Sequence, residues 1–160
     1  MDSETLMAGD DGMDAVIVAA RDAQVAVGET VQAGADEARI AALRAALQRE
    51  FGATLPEDYA ALLRRSDGVD FDGLVLYGSW QSEANPGPAG FWQGLVAANR
   101  LWRQGPGHET WLVLGETDID LFTVNLDGSG PVLRDKVSSD VNQTFPSVGV
   151  AIQALLATRG

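Results

Sequence analysis

Cysteine is absent from this chain of 160 residues, histidine occurs once, and lysine and arginine together number only 11. Without cysteine there is no disulfide framework, no thiolate zinc site and no cysteine nucleophile. With His108 alone, a multi-histidine metal centre is excluded as well. No run approaches the roughly 18–20 apolar residues that a membrane span requires. The most apolar early stretch, Ala15 to Ala20, is short and follows Asp10, Asp11 and Asp14, where a secretory signal would carry basic residues. These absences predict a soluble, cytoplasmic protein and make a conventional enzyme a poor expectation.

What is present is an ordinary globular composition, 46% hydrophobic and 21% charged. The length fits one domain large enough to fold on its own core. The charge balance is the unusual feature: 23 acids against the 11 bases give −12. Residues 1–37 hold nine acids and one base, Arg21, a net of −8; residues 38–160 hold 14 acids and ten bases, a net of −4. Such a field repels nucleic acid and anionic membrane and steers basic partners inward. The acid-rich start reads either as a solvated leader or as a surface for a cationic protein. The expected division is an acidic, flexible leader over 1–12 and one folded domain over 13–160.

Along the chain, Val16, Ile17, Ala20, Gln24 and Val27 recur at helical spacing and predict a helix over 13–27. Ile40, Leu43, Leu47 and Phe51 form one continuous stripe, so a second helix is predicted from Asp36 to Phe51, closed by Gly52 in a left-handed conformation. Thr54-Leu55-Pro56-Glu57 has the pattern of a capping box for a third helix. Tyr59, Leu62 and Leu63 would be its buried face, and Asp67-Gly68 its end. The period then changes from 3.6 to 2. Strands are predicted at 74–77, 111–114, 119–125 and 131–134, with a hairpin turn at Asp127-Gly128-Ser129-Gly130. A short helix is predicted from Leu95 to Trp102, and a last one capped by Ser147 and carrying Val148, Ile152, Leu155 and Leu156. The Pro- and Gly-rich stretch 79–90 reads as a loop. The fold class is therefore α+β, a single domain of helices packed on a small, mainly antiparallel sheet.

No catalytic constellation assembles from these residues. Glu116-x-Asp118-x-Asp120 offers hard oxygen ligands at alternate positions, but it lacks the EF-hand pattern and falls on a turn where Asp is common for local hydrogen bonding. Asp70 and Asp72 flank Phe71 without a nucleophile beside them, and His108 sits in a Gly/Pro loop, where exposure is expected. No nucleophile elbow, Walker-type loop or dinucleotide fingerprint occurs. Trp80, Phe91, Trp92 and Trp102 are either core anchors or partner contacts. Nucleic-acid stacking is disfavoured because they lack a basic surround. No metal and no cofactor are expected.

Three consecutive pieces carry a family likeness: IAALRAALQREF at 40–51, LPEDYAALLRRSDG at 55–68 and FDGLVLYG at 71–78. Together with GLVAANRLW at 94–102, WLVLGE at 111–116, the strand pair over 119–134 and the closing helix, the chain resembles the Smi/Knr branch of the SUKH superfamily, and its YrhA-like members in particular. The resemblance implies an α+β fold in which Leu55, Pro56, Tyr59, Gly68, Gly73 and Tyr77 are structural. It departs at Asp67-Gly68, where the family commonly has Asn-Gly, and in the stretch 79–90, which is particular to this chain.

Many bacterial members of that superfamily are immunity proteins. The resemblance therefore implies an antitoxin that binds and occludes a cognate polymorphic or contact-delivered toxin domain without catalysis. The acidity makes the expected partner basic, a nuclease or nucleotide-modifying enzyme being the expected chemistry. The alternative is a regulatory interaction module without a toxin, and a metal-dependent hydrolase built on Glu116, Asp118 and Asp120 is a third reading. On the binding readings, the candidate partner contacts, chosen for charge, loop position and aromatic surface, are Asp70, Asp72, Trp80, Glu83, Trp92, Glu116, Asp118 and Asp120.

Overall fold

A computed structural model describes residues 3–29, 31–79, 94–105 and 107–158, with side chains from residue 12 onward. Among them, five helices accompany one six-stranded antiparallel sheet whose spatial order follows the chain. This is the α+β class that the change of period predicts.

Helix α1 runs from Ser3 to Ala26. It begins ten residues before the predicted start, so the acidic stretch 3–12, expected to fray, is written in helical geometry. Further along the helix, Met13, Ile17, Ala20 and Gln24 form a buried stripe. The contact reaches Gly12, where a Cβ would lie 2.5 Å from Gln153 Oε1. Helix α2 spans Glu37 to Phe51, with Asp36 accepting from the Arg39 amide at 2.8 Å and Gly52 left-handed at φ 64°. Both ends match the sequence reading.

Helix α3, Glu57 to Arg65, corrects it. Thr54 and Glu57 form no capping box; extended Pro56 takes the N-cap position, with no side chain bonded there. The Thr54 amide is drawn away to the Leu126 carbonyl at 2.8 Å, and Glu57 turns to Arg44 on α2 at 2.9 Å. A polar side chain caps only if its own backbone lies in the turn. At the far end, the stretch 31–36 lies against α3, the Ala35 amide bonding the Leu63 carbonyl at 2.7 Å. Gly34 allows this approach, since a Cβ there would fall 1.9 Å from the Arg64 carbonyl oxygen.

The sheet begins with two strands of three residues, β1 (Val69–Phe71) and β2 (Leu74–Leu76). β1 is not apparent in the sequence, being a single V-D-F triplet. Strands β3 (Trp111–Glu116) and β4 (Asp120–Asn125) are the central pair and are buried along nearly their whole length. β5 (Val132–Asp135) follows the predicted turn at 127–130, with Gly128 and Gly130 at positive φ. β6 (Val141–Thr144) is the unpredicted outer strand, exposed at every residue, so no alternation of apolar and polar residues marks it.

Helix α4 (Leu95–Trp102) lies against β3, and α5 (Val148–Ala157) packs on α1 and α3. Ser147 caps α5 by accepting from the Val150 amide, as its position predicts. Where β2 ends, Asn99 of α4 stands in for a strand: its carboxamide donates to the Val113 carbonyl and accepts from the Val113 amide, both at 2.8 Å. A buried backbone group needs such a partner.

One hydroxyl ties the helices to the sheet. Tyr59 of α3 is fully buried, and its OH donates between the carbonyls of Tyr77, at 2.5 Å, and Leu114, at 3.0 Å. Tyr59→Phe removes the donor shared by these buried carbonyls; Leu114 keeps the Tyr77 amide at 3.0 Å, while the Tyr77 carbonyl loses its hydroxyl partner. We expect a loss of about 1–3 kcal/mol, read as a lower urea midpoint with unchanged m-value. An unchanged midpoint would remove the hydroxyl from the stability account.

Candidate functional site

The register of the sheet brings the predicted acids together. Asp70 faces Val75, Val75 faces Glu116, Glu116 faces Leu121, and Asp120 faces Asp135. The turns β1–β2, β3–β4 and β5–β6 therefore lie at one end of the sheet. Of the eight candidate contacts, Asp70, Asp72, Glu116, Asp118 and Asp120 all fall there. Trp80, Glu83 and Trp92 lie outside the described residues, as does most of the stretch 79–90.

Each acid is held differently. Asp70 is exposed on β1, and its carboxyl is pushed up from the usual range by partial burial and by the nearby Glu29. Its backbone carbonyl accepts from Gln24 of α1 at 2.9 Å, which covers that edge of the sheet. Asp72 occupies the tight turn at φ 51°, and Gly73 follows at 82°. The open space above Gly73 is filled by Asp118, whose carboxylate oxygens lie about 3.5 Å from where a Cβ would stand. Asp118 itself is exposed.

Glu116 is half-buried and engaged on both oxygens. Tyr77 OH donates to one at 2.6 Å and Lys136 Nζ to the other at 2.8 Å. The Trp102 indole N–H donates in turn to Tyr77 OH at 3.0 Å. Trp102 is thus a half-buried anchor of α4, one of the two roles its sequence allows. Asp120 is buried to 9% exposure; one carboxylate oxygen accepts from Asn142 at 2.7 Å, and its amide bonds the Thr117 hydroxyl at 3.1 Å. Glu116 and Asp120 therefore serve different partners, and the Asp118 carboxylate lies over Gly73. Among the described residues no group of three or more His, Asp or Glu side chains is placed to hold a metal ion.

His108 departs from its expected exposure. It is half-buried, stacked 6.2 Å from Trp102 and edge-on at 5.5 Å to Trp111. Two aromatic faces cover an imidazole that the sequence places in an open loop.

Two residues that sequence reasoning missed complete this end. Ile119 is 67% exposed at the β3–β4 turn and Val137 is 96% exposed at the β5–β6 turn. The two turns are laced together by the Lys136 amide donating to the Ile119 carbonyl at 2.9 Å. Asp135 holds Val137 in place, its carboxylate accepting from the amides of Val137 and Ser138 at 2.8 and 2.9 Å. Those two N–H bonds keep the Asp135 carboxyl below its ordinary range. Both apolar side chains therefore stand in solvent on braced turns, at the end of the sheet that also carries Asp70, Asp72 and Asp118. A Val between Lys and Ser in D-K-V-S-S-D was the available signal, but such a residue shows its exposure only in three dimensions.

Two further residues give the site its frame. Asp67 is buried, and its carboxylate accepts from the amide and hydroxyl of Ser79 at 2.6 and 2.8 Å and from Arg39 at 3.1 Å. Gly78 and Gly94 form a parallel bridge, so the chain leaves and rejoins the sheet at neighbouring points. Hence Asp67 does more than end the helix. Its Gly68 takes the left-handed turn at φ 95°, while the acid itself secures Ser79, where the Pro- and Gly-rich stretch begins.

No family model and no curated protein matches this chain. The likeness to the Smi/Knr branch therefore stands on the motif residues alone. Nor is any described helix long and apolar enough to cross a membrane.

The two tyrosines of the chain give a pH test of this region. Burial raises the hydroxyl of Tyr59 well above its usual range, and burial together with the Glu116 carboxylate does the same for Tyr77. Below the ordinary tyrosine value near 10 both are neutral in either state, and this stabilisation is fully present. Above it only the unfolded chain ionises, so stability falls as pH rises. We expect no phenolate absorbance at 295 nm until the circular dichroism collapses, and then both at once. A phenolate signal titrating near pH 10 in the folded protein would contradict the burial of Tyr59 and Tyr77.

Proposed function

We propose that this protein is a cytoplasmic immunity protein that binds a basic toxin domain and occludes it, with no catalysis of its own. The observation that carries the reading is the end of the sheet where Ile119 and Val137 stand exposed on braced turns among Asp70, Asp72, Asp118, Asp120 and Asp135. Carboxylates around an apolar centre divide the work of association. Long-range attraction raises the encounter rate with a positively charged partner, and desolvated apolar contacts slow its departure. The net charge of −12 extends that attraction over the whole molecule and works against nucleic acid or membrane as the direct partner. The motif resemblance supplies the toxin, since many bacterial proteins of the Smi/Knr branch neutralise one.

A tagged pull-down from the source organism at two salt concentrations tests the class of partner. One stoichiometric protein with a basic, toxin-like domain is the expected result. Several substoichiometric partners lost at moderate salt would favour the regulatory module. With the partner in hand, Asp70→Asn/Asp72→Asn should slow association by roughly two- to tenfold at low salt, an effect that fades as salt is added. Ile119→Ser/Val137→Ser should instead speed dissociation while leaving association nearly unchanged. Rate constants unaltered in both double variants would place the interface elsewhere.

A further inference from the structure

Helix α1 is apolar on two faces. One is the buried stripe of Met13, Ile17, Ala20 and Gln24. The other carries Ala15, Val18, Ala19, Asp22, Val25 and Ala26 at the spacing of a single helical face, and all six are exposed, Val18 to 55% and Val25 to 59%. Only Asp22 among them is polar, where a solvent-facing helix ordinarily presents charge. Beside this face a groove of about 170 Å³ runs between α1, β1 and the last turn of α5. Val16, Ala20 and Ala23 line it from α1, Phe71 from β1 and Leu156 from α5, and among the described residues no polar side chain enters the lining. The volume suits one large apolar side chain, since a dry cavity of about 150 Å³ already admits benzene.

The charge along this helix has one sign. Its sequence holds Glu4, Asp10, Asp11, Asp14 and Asp22 against Arg21 alone. The Arg21 guanidinium is turned aside to the carbonyls of Gln32 and Arg65. We propose that the exposed face of α1 and its groove seat an amphipathic basic helix of a protein partner. One leucine- or phenylalanine-sized side chain fills the groove, smaller apolar residues lie along Val18, Ala19 and Val25, and the cationic residues flank them within reach of Asp22. The exposed positions recur over three turns, about 16 Å of helix axis, which matches the i, i+3/i+4, i+7 anchors of a helix laid alongside. A second copy of this chain would bring the same acids and the same net charge of −12 to the contact, whereas a cationic helix meets them with the opposite sign. The surface uses none of the residues on which the occlusion reading rests.

The test uses the whole chain and a blocked peptide of two Lys-Leu-Ala-Lys-Leu-Ala-Lys repeats, followed by backbone NMR. One control peptide carries glutamate in place of each lysine. Another keeps the composition in an order that forms no apolar face. We expect saturable amide shifts confined to residues 15–27, 71 and 154–157, about tenfold weaker binding of the reordered peptide, and none of the glutamate peptide. Ala19→Gln/Ala23→Gln closes the mouth of the groove from exposed helical positions and keeps every charge. It should weaken the lysine peptide about tenfold or more with the urea midpoint unchanged. Asp22→Asn should weaken it about two- to threefold, an effect lost as salt is added.

No saturable shift, equal binding of the reordered peptide, shifts centred on the turns at 117–119 and 136–139, or undiminished binding by the double glutamine variant would each overturn the proposal. So would a dimer of the chain alone in sedimentation velocity that Val18→Ser/Val25→Ser dissociates, because the face would then belong to a second copy. The two readings fail separately. Peptide on α1 with no toxin captured at either salt leaves the helix seat standing and removes the occlusion reading. A captured toxin together with an unshifted α1 removes the helix seat and leaves occlusion intact.

Discussion

The phenol of Tyr59 donates one proton into the space between two backbone carbonyls, and much of the architecture depends on where those carbonyls lie. One belongs to Tyr77 just past β2 and the other to Leu114 in β3. The hydroxyl thereby sets α3 against the junction of two strands that bury both faces and have no water to turn to. The side chain of Tyr77 begins at the same junction and carries the connection outward to Glu116 and, through Trp102, to α4. A continuous polar thread thus crosses an otherwise apolar core. Such a thread favours one arrangement over other compact ones, because every alternative leaves a buried polar group unpaired.

From that junction the sheet controls the surface. Antiparallel pairing in chain order places every second turn at the same end, so acids distant in sequence gather without any need to touch. The protein then treats them unequally. Glu116 is paired with Lys136 and half-buried, Asp135 braces its own turn, and among the described residues Asp118 and Asp120 have no ion pair. The unequal treatment is what the proposed partner surface rests on. Identical residue types carry structural and candidate binding roles within a few ångströms of one another.

Much of the helical layer was legible in the sequence. The stripe from Ile40 to Phe51, the helix start at Asp36, the left-handed Gly52 and the Ser147 cap are local features, set by neighbours within one or two turns. The capping box at Thr54 failed because a residue far along the chain, Leu126, claimed the Thr54 amide. β1 and β6 escaped notice for a related reason. A strand of three or four residues, or one exposed throughout, has no period of its own and exists through its partner. At the site, the acids were legible by charge and loop position. Ile119 and Val137 were not, because apolar residues declare themselves as core until their exposure is seen.

The sequence by itself determined the excess of negative charge, the absence of thiol and multi-histidine chemistry, the order of helices and central strands, and the α+β class. All of these follow from composition or from interactions between near neighbours. Only the tertiary structure decided which carboxylates were matched by a cation and which by a neutral amide. That outcome depends on register, on a lysine twenty residues from Glu116 and on an asparagine twenty-two residues from Asp120. Charge is written into a residue, but its compensation is a property of the space around it.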